Sequence, residues 1–269
     1  MTGSYEKALE GLTSLEMTFQ GETRKVYKAG EGPAIIVIHE IPGLHPGVID
    51  FGWRLVREGF TVWMPSLLGT PGKPVSGGYT LSSVTKACVS REFTTFATGK
   101  NSPVVDWLRE LARHAFEECG GPGTGVVGMC LTGGFALGMM VDEHVLAPVL
   151  SQPSLPFNIL PSQKRDLGVD EPTLERIKER TEDGICVLGL RFTHDAMMPG
   201  QRFARLREEL GDNFIGVEIP SGPGNKHGIP ISAHSVLTRD LVDQPGHPTQ
   251  DTLHQVLDFF KERLQPTSA

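Results

Sequence analysis

The chain is short of cysteine. Its 269 residues include four, Cys88, Cys119, Cys130 and Cys186, and no two are spaced as Cys-x-x-Cys. This spacing excludes a zinc ribbon, a thioredoxin motif and a disulfide framework, and it implies a reducing, cytoplasmic setting. Positive charge is also scarce. The net charge is −7 and no run of five Lys or Arg occurs, so no nucleic-acid partner is expected. No apolar stretch reaches the ~18–20 residues of a membrane span, so no membrane partner is expected either. The first ten residues are polar and acidic, without the apolar centre of a signal peptide. The nine histidines contain no His-Glu-x-x-His, and His39-Glu40 has no second histidine at helical spacing, which leaves no metal site to expect. Gly123-x-Gly125-x-x-Gly128 matches a dinucleotide fingerprint as a string, but it precedes a strand instead of following one. No cofactor is expected.

What remains is an ordinary globular composition, 39% hydrophobic and 21% charged, enough to bury a full core. Residues 33–39 (PAIIVIH) carry an unbroken apolar run, mostly β-branched, and predict a strand buried on both faces. Further strands are predicted at 60–64, 126–129, 145–150, 185–190 and 214–219. Helices are predicted at 48–58, 103–119, 131–140, 201–210 and 252–264. The helix at 201–210 reads as one with a solvated arginine side. Residues 66–86 read as loop, as does the proline-rich, then charged, stretch 151–180. Alternation of strand and helix along the chain predicts an α/β fold, with a mostly parallel central sheet and helices on both faces. A single domain over 28–264 is expected. Residues 1–27 form an extension or edge hairpin, and 265–269 a tail.

In such sheets ligands gather at the carboxyl ends of strands, so the residues just past each strand matter most. Residues 126–134 (VVGMCLTGG) read as strand, Gly-x-Cys, then a glycine-rich helix start. This is the outline of a nucleophile elbow, with Cys130 exposed at a sharp turn and the Leu131 N–H aimed at a developing oxyanion. The plain alternative is a buried cysteine in tight packing. Glu40 follows the buried strand directly, where a charge is costly unless paired or working; otherwise it caps a helix or faces solvent. The loop Ile41-Pro42-Gly43 can turn a second amide toward the elbow. Asp195 follows the strand at 185–190 and either orients a histidine or caps a helix. His227 and His234 both follow the next strand. Nucleophile, acid, histidine is the chain order of α/β-hydrolases.

Together these segments resemble the dienelactone hydrolase family, a cysteine branch of the α/β-hydrolase fold. Gly128 to Gly134 resembles its G-x-C-L-G-G elbow, and His39 to Gly43 its E-I-x-G strand end. Gly59-Phe60 to Pro65 resembles its second strand, Asp195 with Met198-Pro199 its D-x-x-V-P loop, and Ala233 to Val236 its G-H-S/G-F. The likeness runs from about residue 28 to 264. Two departures stand out: Thr132 replaces a glycine, which crowds the elbow, and Ser66 stands where the family has Asp. The resemblance implies a small-molecule ester or lactone substrate, attack by Cys130, acid–base work by His234, and orientation of that ring by Asp195. It implies an oxyanion site at the Ile41 and Leu131 amides, and contact of Glu40 with the thiol to govern its ionisation. It also offers Arg91 as a substrate-carboxylate anchor, against a plain surface arginine. His234 is preferred over His227 for its distance to the closing helix. Thioesters or phosphotriesters at the same site, or a non-catalytic scaffold, are the alternatives.

Overall fold

The computed structural model describes residues 3–89, 102–155, 157 and 161–265. Eight strands form one sheet in the order β1-β2-β4-β3-β5-β6-β7-β8. They are β1 Thr13–Phe19, β2 Glu22–Ala29, β3 Ala34–Ile38, β4 Thr61–Pro65, β5 Thr124–Met129, β6 Val145–Ser151, β7 Val187–Phe192 and β8 Phe214–Ile219. The pairs from β4 through β8 are parallel, while β1 and β2 are an antiparallel hairpin that joins the sheet at β4. A domain boundary at 27/28 therefore falls inside β2, whose Val26 to Ala29 pair with β4. The hairpin is the sheet's own edge.

The helices are α1 Gly3–Glu6, α2 Pro46–Arg57, α3 Gly77–Val89, α4 Pro103–Cys119, α5 Gly133–Met139, α6 Glu171–Glu182, α7 Gly200–Leu210 and α8 Pro248–Leu264. Side chains of a strand alternate between faces, and β3 shows the consequence. Ile36 and Ile38 pack into one core with residues of α4, α5, α6 and α7. Ile35 and Val37 pack into the other with residues of α2 and α8. Every residue of β3, β4, β5 and β7 is buried, as a parallel sheet covered on both sides requires. Among the described residues no helix is long and apolar enough to cross a membrane.

Two stretches read as loop contain helices. Helix α3 lies in the glycine- and serine-rich segment, which has no clear apolar stripe to announce it. Helix α6 starts at an Asp170 cap bonded to the Thr173 N–H at 3.0 Å and carries the ion pairs Arg176–Glu179 and Lys178–Glu175 on its outer side. The arginine side of α7 is not all solvated. Arg202 is 1% exposed, and its guanidinium donates to the carbonyls of Pro153, Asp166 and Gln163. Carbonyl acceptors make burial of that cation tolerable, and a sequence pattern does not reveal them.

Candidate active site

A sharp turn lies at the end of β5. Cys130 has φ +56°, a left-handed conformation uncommon for a residue with a side chain. A Cβ on Gly128 would stand 2.2 Å from the Thr132 carbonyl oxygen, and one on Gly133 would stand 2.6 Å from the Pro153 Cα. The chain thus doubles back on its own strand, which only glycine at these two points permits. Thr132 does not crowd this turn. Its hydroxyl accepts the Met129 N–H at 3.0 Å and lies within 3.2 Å of the carbonyl oxygens of Met129, Ile38 and His39. It pins the elbow to the end of β3. The Ser154 N–H donates to the Cys130 carbonyl at 2.9 Å, closing the other side.

Asp195 is nearly buried in the turn after β7. Its Oδ1 accepts the N–H groups of Met197 and Met198 at 2.9 and 3.2 Å, and its Oδ2 accepts from His234 Nδ1 at 2.6 Å. It does not cap α7, whose N-cap is Pro199; one oxygen shapes the turn and the other holds the imidazole. With Nδ1–H donating to Asp195, the second ring nitrogen, Nε2, is buried without an aligned hydrogen-bond partner. Burial by itself would lower the pKa of this ring. The neighbouring Cys130 and the Asp195 bond outweigh it and raise the pKa well above the ordinary histidine value. The carboxylate and the imidazole are thus joined directly, and the second ring nitrogen is the one left free of a hydrogen bond. His227 lies outside this pair, exposed and edge-on to His247 with ring centroids 5.4 Å apart.

Asp240, which the sequence did not flag, sets the backbone at His234. Its Oδ2 accepts the His234 and Ser235 N–H groups, both at 2.8 Å. Glu40 is 2% exposed and neither faces solvent nor caps a helix. Its Oε1 accepts from His45 Nε2 at 3.0 Å and from the Thr238 hydroxyl. Its Oε2 accepts from the Ser235 hydroxyl at 2.8 Å and from Gln152 Nε2 at 3.4 Å. Cys130 is not among these partners, in contrast to the thiol contact implied by the resemblance. His45, Gln152 and Thr238 also escaped the sequence reading. The signal that leads to them is Glu40 itself, because a buried carboxylate requires donors.

Ile41 and Leu131 each lie three residues past a register pair, Ile38↔Gly128, so both enter the same rim from neighbouring parallel strands. Leu131 is in the first turn after β5, where the helix supplies no acceptor for its N–H. Arg91 lies outside the described residues.

His39, the last residue before Glu40, donates from Nδ1 to the Glu40 carbonyl at 2.9 Å. Its Nε2 accepts from the Leu67 and Leu68 N–H groups at 3.0 and 3.3 Å. This arrangement needs the neutral ring, and burial lowers its pKa from 6.5 to about 4. A depressed histidine stabilises the fold fully above pH 6.5, and that contribution disappears as pH falls toward 4. The loss amounts to about 3 kcal/mol at most. Urea unfolding at pH 7 and at pH 4.5 should show it, with a flatter pH dependence in His39→Gln. Equal slopes in the two proteins would disprove the assignment.

The sequence matches the family model described as the dienelactone hydrolase family over residues 22–264. Solved structures of similar fold include the dienelactone hydrolase-like promiscuous phosphotriesterase P91 from metagenomic libraries. It is 15% identical with TM-score 0.60, over 94% of this chain and 98% of that one. A dienelactone hydrolase from Anabaena variabilis is 14% identical with TM-score 0.59, over 94% and 98%. A cold-adapted esterase from an Arctic intertidal metagenomic library is 14% identical with TM-score 0.55, over 93% and 92%. No curated protein matches the chain. At such identities the structures speak for the α/β-hydrolase fold alone; with the family match spanning nearly the whole sheet and the elbow, the chain belongs to the dienelactone hydrolase family.

Proposed function

We propose that this protein hydrolyses carboxylic esters or lactones through a Cys130 thioester. The observations that support this reading are the Asp195–His234 hydrogen bond, which leaves the second ring nitrogen free, and the positive-φ cysteine on the elbow after β5. In the reaction, the thiol proton passes to His234 Nε2 and the sulfur attacks the carbonyl carbon. The N–H groups of Ile41 and Leu131 receive the oxyanion, an interaction worth ~2.7–4 kcal/mol per donor in a serine enzyme. Collapse of the tetrahedral species breaks the C–O bond, and the departing alkoxide takes its proton from Nε2. Water, deprotonated by the same nitrogen, then cleaves the thioester. The raised pKa of His234 favours the imidazolium that forms once the thiol proton has arrived, and that proton then goes to the leaving alkoxide. Three free cysteines among the described residues suit a cytoplasmic setting. Phosphotriesters are the second substrate class to test, since P91 is described as a promiscuous phosphotriesterase.

The test is hydrolysis of p-nitrophenyl acetate during titration with iodoacetamide, with peptide mapping of the modified residue. Activity should fall in proportion to Cys130 alkylation. Full modification of Cys130 with undiminished hydrolysis would exclude the thiol mechanism.

A further inference from the structure

Glu40 is a buried charge in an unusual position. The four donors around it come from three places: His45 at the start of α2, Gln152 after β6, and the hydroxyls of Ser235 and Thr238 in the loop that carries His234. His45 Nδ1 accepts the Gly47 N–H at 3.1 Å, so its proton is on Nε2 and points to Glu40. Burial pushes the Glu40 pKa up, but the His45 bond and the two hydroxyls outweigh it, and the group stays ionised. A second path runs through Gln152, whose Oε1 accepts the Val236 N–H at 3.3 Å while its Nε2 reaches Glu40. Residues 235, 236 and 238 are therefore all tied to one carboxylate, two of them directly. Ser235 is the immediate neighbour of His234, whose ring must keep Nδ1 on Asp195 and Nε2 toward Cys130.

We infer that Glu40 is a positioning residue for His234, acting through Ser235 and Thr238 to hold the imidazole loop in register with the elbow. This rests on the thiol-hydrolase reading. Charge-assisted bonds to a rigid strand end fix the loop more firmly than neutral ones. The same bonds occupy both oxygens, so the carboxylate has no lone direction left for the thiol.

A mutant cycle in the full-length protein tests this. Glu40→Gln should lower kcat for p-nitrophenyl acetate roughly 10–100-fold, with KM changed less than about twofold. It should also shift the pH profile of Cys130 alkylation, because a displaced imidazole no longer pairs with the sulfur. In a Ser235→Ala, Thr238→Val background the further loss from Glu40→Gln should shrink to about threefold or less, since the link is already cut. Thr238→Ser should recover activity relative to Thr238→Val. The same Glu40→Gln factor in both backgrounds would overturn the inference and assign the carboxylate a direct action on the thiol. Should Glu40→Gln fail to fold, Ser235→Ala decides alone: reduced kcat at constant KM supports the inference, and unchanged kcat overturns it. Absence of ester hydrolysis in the wild type would refute the functional reading, and the alkylation profiles would still decide this one.

Discussion

Cys130→Ala is expected to reduce ester hydrolysis by about 10⁴-fold or more, to the level the oxyanion amides and binding supply alone. Replacing a nucleophile removes the covalent route; it does not weaken one contact among many. His234→Ala should cost nearly as much, and the double variant hardly more than either, because sulfur and imidazole act as one unit. Cys130→Ser should retain a small residue of activity, since a hydroxyl at the same elbow still faces His234 but gives up its proton less readily. Steady-state kinetics with far-UV circular dichroism to verify folding are sufficient. Hydrolysis by Cys130→Ala within tenfold of wild type would end the thioester mechanism.

Gly128→Ala is expected to destabilise the fold by more than about 3 kcal/mol. The added methyl would meet the Thr132 carbonyl oxygen at 2.2 Å, the Thr132 carbonyl carbon at 2.9 Å and the Gly133 Cα at 3.1 Å. All three are backbone atoms, so no rotamer change relieves the clash; the elbow must open. The hydroxyl of Thr132, bonded at the same turn, moves with it. Gly77→Ala is the control. Nothing lies within 4 Å of its Cβ position, and it stands at the start of α3. Alanine there should be neutral or slightly stabilising, since it narrows the unfolded chain's freedom. Denaturant midpoints compare the two. A Gly128→Ala protein as stable as wild type would show that the turn tolerates a looser path.

The sheet could be read from the sequence because its strands are so apolar: β3, β5 and β8 begin and end within about two residues of where β-branched runs predict. Asp195, His234 and Cys130 could be singled out as candidates for a related reason. Cys130 directly follows β5, Asp195 stands in the turn after β7 and His234 in the longer loop after β8, and their chain order is that of a known constellation. What the sequence hid was polar and long-range. Arg202 reads as a solvated helix residue until the carbonyls of Pro153, Gln163 and Asp166 converge on it. Asp240 reads as a loop acid, yet it sets the His234 backbone. Thr132 looked like a steric fault because its volume is visible in sequence and its hydrogen bonds are not. The surroundings of Glu40 join segments some 200 positions apart, and no periodicity encodes such a meeting.

Arg191 lies on β7, four residues before the acid that the strand delivers. Its guanidinium donates to the carbonyls of Thr193 and Met198, one on each side of Asp195, and pairs with Glu218 on the adjacent strand. The turn that presents the carboxylate is thus braced from beneath by its own strand, like a bracket bolted to the beam it extends. Changes of length or sequence after Pro199, on the helix side, need not drag the acid out of line. That independence gives the rim beyond the brace latitude to vary in shape while the charge that steadies the imidazole keeps its place.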